Sequence, residues 1–153
     1  MDKGVYCLAL RNCACSIDIG RLGRFAFAPG WHVYVGSALG PGGLKRACRH
    51  ARLARMRDRA PKWHIDYLLL SPCFSLEAIY CAPTGEPVEC AVARGLGGAC
   101  VPGFGCSDCG CGSHLFSRSR DPGDEIEAAL AGLGLECRRH APRIVPPAQI
   151  SDP

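Results

Sequence analysis

At 153 residues, 48% of them apolar, the chain is sized for one domain with a real core. No stretch approaches the roughly 18 apolar residues of a membrane span, and the opening MDKGVYCLALRN starts acidic then basic with no small-residue cleavage site, so a cytoplasmic protein with no membrane partner is expected. The net charge of +4 is unevenly spread: residues 45–62 hold eight Lys or Arg and one acid, Asp58, leaving ten basic and thirteen acidic residues elsewhere. A positive segment on a mildly negative body suits a polyanion partner, although a solvated helix face carries the same charge.

The first predicted element is a strand over residues 4–11, GVYCLALR, a mostly apolar run with β-branched and aromatic residues. Residues 14–19 and 24–28 form a short hairpin around Gly20–Gly23, Pro29-Gly30 makes a turn, and residues 31–38, WHVYVGSA, form the next strand. These segments together predict a small antiparallel sheet. Pro41-Gly42-Gly43 then leads into a helix over residues 43–58, with Leu44, Ala47, Cys48, Ala51 and Ala54 as its buried stripe and Pro61 as its stop. A short helical segment follows at 64–70 and a strand at 74–82.

Thr84 to Pro87 open a further helix, with Pro87 in its first turn, that carries Glu89 and fails at Gly95–Gly98. Residues 102–113, rich in Gly and Cys, exclude a regular element. HLFSRS (114–119) is the last predicted strand, and an acidic helix over 124–133 ends at Gly132 and Gly134. The expected fold is α+β, a small central antiparallel sheet flanked by helices. One domain spans 1–140, including a Cys-rich loop at 100–114, and residues 141–153 form an extended or disordered tail.

Twelve cysteines would form a disulfide framework in an exported protein. Here most read as thiols, and Cys7, Cys48, Cys81 and Cys90 sit in apolar-periodic segments where cysteine acts as a small hydrophobe. Cys106, Cys109, Cys111 and His114 spell C-x-x-C-x-C-x-x-H, four soft groups that can bind zinc, with Cys100 as a substitute ligand. The C-x-C and C-x-x-H spacings strain a single tetrahedral site. A reduced, Gly-supported loop beside the active site, with His114 facing substrate, is the favoured reading.

The chemistry concentrates in GVY at 4–6, YVG at 34–36, the run Arg46-x-x-Arg49-His50, and Glu89. Strand alternation can place Tyr6 and Tyr34 on one face of adjacent strands. Arg46 and His50 are four apart on a helix and share a face. An Arg can give a phosphate two hydrogen bonds, a carboxylate-held metal can stabilise the leaving oxygen, and His50 is matched to neutral pH as a base. Singly, each residue has a bland alternative as a sheet tyrosine, a solubilising helix face or a helix-terminus acid.

Taken in order, GVY, YVG, Arg-x-x-x-His and a later helix-opening Glu resemble the GIY-YIG nucleases over residues 4–90. WHIDYLL (63–69) and GFGCSDCGCGSHLF extend the likeness to a stand-alone, archaeal-type branch formerly of unknown function and sometimes fused to DNA-repair glycosylases. The resemblance implies one Mg²⁺ or Mn²⁺ ion on Glu89, Tyr6 as general base or water-orienting group, Tyr34 positioning water or phosphate, Arg46 clamping the scissile phosphate, and His50 and His64 assisting. Lys45, Arg49, Arg52 and Arg57 would bind the nucleic-acid backbone. Two departures stand out. The Asn that many members carry after the Glu-bearing helix has no counterpart, since the only Asn is Asn12, which leaves that role vacant or to a residue such as Ser113 or His114. The loop from Gly36 to Arg46 is also longer than in homing-endonuclease members.

The expected function is therefore a metal-dependent, structure-selective DNA endonuclease linked to repair, acting as a monomer with DNA and a repair protein as partners. RNA fits the residues equally. The alternatives are a catalytically inactive nucleic-acid-binding module of the same fold and a redox or zinc-dependent interaction protein centred on the cysteine loop.

Overall fold

A computed structural model of the chain describes residues 2–106 and 111–142. Cys109 and residues 143–153 of the expected tail lie outside the described residues. The elements are β1 (Gly4–Asn12), β2 (Cys15–Ile19), β3 (Gly23–Phe27), β4 (Gly30–Ala38), α1 (Lys45–Met56), α2 (His64–Leu69), β5 (Phe74–Pro83), α3 (Glu89–Leu96), β6 (Leu115–Arg118), α4 (Gly123–Ala131) and β7 (Arg138–His140). Five of the strands make an antiparallel sheet in the order β6-β4-β1-β5-β7, as the α+β reading requires.

Central β1 is buried at almost every position because both faces of the sheet are covered. Tyr6, Leu8 and Leu10 share one core with Ala47 of α1, with Ile65, Leu68 and Leu69 of α2, and with Ile19 and Phe27 of the hairpin. Val5, Cys7 and Ala9 share the other with Val92 and Ala93 of α3 and Ile126 and Leu130 of α4. The period of two sends alternate residues to opposite layers, so a doubly covered strand reads as a continuous apolar run. Full burial of each Leu or Val contributes roughly 1.5–3 kcal/mol. Among the described residues no helix is long and apolar enough to cross a membrane.

Several sequence-based expectations need correction. Strands β2 and β3 pair only with each other, in a separate two-stranded sheet. β1 pairs directly with β4 from Gly4↔Ala38 to Asn12↔Gly30, so the hairpin is an excursion that packs against α2. Helix α1 ends at Met56, before Pro61, because Arg57 turns left-handed (φ 48°) and returns its N–H to the Leu53 carbonyl. Cys48 is exposed and the buried position is taken by His50. At about 100° per residue, Cys48 is rotated off the face that Ala47 and Ala51 present to the sheet. Pro87 precedes the helix, whose N-cap is Val88. The last strand is β7, whose three exposed residues, RRH, carry no apolar pattern and place charge on the sheet edge.

Asn12 closes the far end of β1. Its Nδ2 donates to the carbonyls of Ala28 (2.8 Å) and Cys13 (3.2 Å), and its Oδ1 accepts from His32 Nδ1 at 2.9 Å. His32 is buried against Phe27 and Phe74. Burial lowers His32 and His50 from 6.5 to about 4. The unfolded chain therefore takes up protons at both positions while the folded chain does not. Stability should be full above about pH 6.5 and fall as pH drops toward 4, by up to roughly 3 kcal/mol per histidine. Urea unfolding at pH 7 and pH 5 checks this; a His32→Gln variant should lose part of the pH slope, and a flat profile in the parent protein would contradict it.

Candidate active site

Tyr6 and Tyr34 stand on the same face of neighbouring strands. Tyr6 pairs with Gly36 and Tyr34 with Leu8, and their ring centres are 6.5 Å apart. The YVG glycine has a physical reason: a Cβ on Gly36 would overlap the Tyr6 ring. The Tyr6 ring lies across that bare backbone, 1% exposed, and its hydroxyl makes a 2.7 Å hydrogen bond with His50 Nε2. Tyr34 is half-buried, with its ring 6.3 Å from His50.

Helix α1 brings Arg46 and His50 to this face. Arg46 Nη1 donates to the Ser37 carbonyl at 3.2 Å, and its guanidinium stacks over the Trp63 ring, 5.2 Å from the centre. The first turn of α1 holds Lys45 and Arg46 and no acid. Two cations at the positive end of a helix dipole are locally unfavourable, and the arrangement is relieved when an anion lies there.

Electrically the cluster is neutral at its centre and charged at its rim. Burial first, then the neighbouring Tyr34, pushes the Tyr6 phenol well above 10.0, with Arg46 opposing. Burial and then Glu89 raise Tyr34. Burial pulls His50 down to about 4, against the pull of Asp66 and with help from Arg46 and Arg49. At neutral pH the Tyr6–His50 bond therefore joins two uncharged groups.

Glu89 opens α3, and its side chain is 26% exposed. One carboxylate oxygen lies 3.4 Å from His114 Nδ1. Because burial lowers His114, this is a neutral imidazole against a carboxylate. The Glu89 charge acts on both Tyr6 and Tyr34, as expected for the acid of the same site. Of the two stand-ins for the missing Asn, Ser113 is committed to the backbone: its hydroxyl lies 2.6 Å from the Val101 carbonyl and accepts from Leu115 N–H. His114 alone meets Glu89.

His64 is joined to the glycine-rich loop rather than to the Tyr6–His50 pair. Its Nδ1 accepts the Gly105 N–H at 2.9 Å, which leaves the ring proton on Nε2, and its ring packs on Phe104. Gly105, at φ +71°, fits closely against both Tyr34 and His114, so the loop seals the site on this side. Of the other cations, Lys45, Arg49, Arg52 and Arg57 are all exposed. Arg49 and Arg52 line a cleft of about 410 Å³ with Arg59, Lys62, His50 and Trp63. Arg52 also lies 3.6 Å from Asp58, and Arg57 donates to the Ser71 carbonyl. Lys45 lines a different groove, of about 490 Å³, between α1 and strands β5 and β7; none of Tyr6, Tyr34, His50 and Glu89 borders it.

Two site residues escaped the sequence reading. Asp66 is buried beside His50; its Oδ2 accepts the N–H groups of Lys62 (2.8 Å) and Trp63 (3.0 Å), while Oδ1 has no hydrogen-bond partner among the described residues. An acid at the third position of a short helix was the available signal. Trp63 is 38% exposed, with the Arg46 guanidinium 5.2 Å and the Lys62 ammonium 4.9 Å from its ring centre. The expected soft-ligand set changes as well. Cys111 and His114 come together with Cys90, within 4.8 Å of one another. Cys106 instead directs its thiol to the Phe104 carbonyl, and Cys100 is exposed.

Fold and site together define an α+β domain with a buried phenol–imidazole pair acted on by an arginine, and by a carboxylate that also acts on the neighbouring Tyr34. The chain belongs to the family described as domain of unknown function DUF123, which matches residues 5–135. No curated protein and no solved structure matches it.

Proposed function

We propose that the protein is a metal-dependent, GIY-YIG-type endonuclease that hydrolyses phosphodiester bonds in DNA, structure-selective and linked to repair, acting in the cytoplasm as a monomer. The observation that carries this reading is the 2.7 Å Tyr6–His50 bond, with Arg46 and the quarter-exposed Glu89 carboxylate both acting electrostatically on Tyr6 and Tyr34. Arg46, held by the Ser37 carbonyl and Trp63, presents a fixed donor to a phosphate oxygen. Tyr6 can take a proton from the attacking water while its own proton passes to His50 Nε2. Negative charge growing on the phosphate favours the imidazolium as that transfer occurs.

A single, partly exposed carboxylate fits a hard divalent ion that keeps water and substrate phosphate as its other ligands, so Glu89 would hold Mg²⁺ or Mn²⁺. An ion held by Glu89 would supply charge stabilisation for the leaving oxygen. The resemblance to a branch fused to repair glycosylases supports a repair protein as partner.

Trp63 is the base-stacking platform on this reading. Trp63→Ala should weaken single-strand binding by about 1–3 kcal/mol without changing its salt slope, whereas Arg49→Ala should lower that slope by about one phosphate contact. Titrations at several salt concentrations distinguish the two.

A second reading, a nucleic-acid-binding module without catalysis, is favoured by one observation. With His50 at about 4 and Tyr6 above 10.0, neither is a ready base at neutral pH. A cleavage panel of linear, single-stranded, flapped, branched and abasic DNA, with RNA counterparts, decides between them in Mg²⁺ and Mn²⁺. Metal-dependent nicking of at least one DNA structure is expected. Tight binding with no cleavage of any substrate would replace the endonuclease by the binding module.

A further inference from the structure

Behind Glu89 lies a cluster of different chemistry. Cys90 follows Glu89 in α3, Cys111 lies in the turn before β6, and His114 immediately precedes that strand. The backbone of His114 is pinned at both ends, its N–H donating to the Phe104 carbonyl and its carbonyl accepting from Val35, each at 2.9 Å. Its side chain is 1% exposed. Nε2 lies 2.7 Å from Cys111 Sγ and 3.8 Å from Cys90 Sγ, and the two sulfurs are 2.7 Å apart. Residues 21 and 24 positions apart thus place three soft donor atoms at the corners of one small triangle.

We propose that Cys90, Cys111 and His114 Nε2 bind a zinc ion. Two thiolates and an imidazole are a soft set that selects zinc over the hard ions suited to Glu89. Two thiolate charges also balance one divalent cation in a half-buried position. Zinc bonds of about 2.3 Å to sulfur and 2.0–2.1 Å to nitrogen put tetrahedral ligand atoms about 3.5–3.8 Å apart. The Cys90–His114 separation already has that length, and the other two edges open by about 1 Å through rotation of the half-buried cysteine side chains. A disulfide between the sulfurs would use neither the buried imidazole nor its aim at both of them. The other ring nitrogen faces Glu89 at 3.4 Å, the carboxylate–imidazole–metal relation that fixes a ligand's tautomer and orientation.

Zinc on Nε2 puts the His114 proton on Nδ1, toward Glu89, and so steadies the carboxylate; this consequence, unlike zinc binding itself, rests on the proposed endonuclease reading. His114 then couples a structural soft ion to the acid of the active site. In sequence the ligands are hidden because Cys90 is remote from the C-x-x-C-x-C-x-x-H run and outside its spacing.

Protein purified without added metal or chelator should contain about one zinc per chain by elemental analysis. Replacement by Co²⁺ should give thiolate-to-cobalt charge-transfer and tetrahedral ligand-field bands. Cys111→Ser and Cys90→Ser, each checked for folding by circular dichroism, should lose zinc, and Cys48→Ser should keep it. The cobalt spectrum of the unaltered protein decides the matter if the serine variants do not fold. Zinc-free folded protein with no thiolate–cobalt band, a mapped Cys90–Cys111 disulfide in the purified protein, or a folded Cys111→Ser variant with full zinc would each overturn the proposal. No substrate enters these measurements: a protein that binds zinc and cuts nothing upholds the zinc site and overturns the endonuclease, and the converse result does the reverse.

Discussion

Glu89→Ala is expected to lower the single-turnover rate of DNA cleavage by about 10³-fold, the equivalent of several kcal/mol of lost charge stabilisation. The side chain opens α3, is a quarter exposed, and acts electrostatically on both tyrosines of the site. Without metal, binding should hold or tighten, because Glu89→Ala removes a negative charge that repels the phosphate chain. Arg46→Ala should cost about 10²–10³-fold, the usual loss for one donor to a developing oxyanion, and should also weaken binding, since Arg46 meets ground-state phosphate too. Rapid-quench rates at saturating enzyme separate the two patterns. Equal loss of binding and rate in Glu89→Ala would point to a damaged fold rather than a missing metal ligand, and an unchanged thermal midpoint guards against that.

Gly36→Ala is expected to have the largest effect on stability of any single methyl addition at the site. Its new Cβ would overlap the Tyr6 ring, whose hydroxyl is tied to His50 and which is almost fully buried. A ring so enclosed has no open direction to move in. Overpacking of this kind costs about 1–3 kcal/mol, and displacement of the ring also breaks the Tyr6–His50 bond, so cleavage should fall with stability. A Gly36→Ala, Tyr6→Leu double variant should recover much of the stability and none of the cleavage. Urea unfolding of the four proteins in this cycle measures the coupling. Additive effects would show that the glycine is not there for the tyrosine.

Much of the sheet was legible because its strands are either doubly buried or bounded by turn residues. GVYCLALR and WHVYVGSA announce themselves by apolar runs, the first ending at Asn12 and the second starting after Pro29-Gly30. β7 was not legible, since Arg138, Arg139 and His140 are placed by pairing with β5 and carry no pattern of their own. Nor was the separation of the hairpin from the main sheet, because pairing of β1 with β4 is a long-range choice that local periodicity does not encode. Within the site, Tyr6, Tyr34, Arg46, His50 and Glu89 stood out by type and order. Their burial did not: His50 reads in sequence as a base matched to neutral pH, with a solubilising helix face as its alternative, and the structure buries it, which lowers it to about 4. Asp66 and Cys90 were missed for one shared reason. Each gains its meaning from a partner across the fold, His50 for one and Cys111 with His114 for the other.

On the proposed reading, Glu89 completes a hydrolytic site with the Tyr6–His50 pair. The most direct test is the single-turnover cleavage rate of unaltered protein and Glu89→Gln on the best-cut DNA, as a function of Mn²⁺ concentration. The rate should rise and saturate with metal in the unaltered protein and stay near background in Glu89→Gln at every concentration. Equal rates with equal metal dependence in the two proteins would contradict that reading.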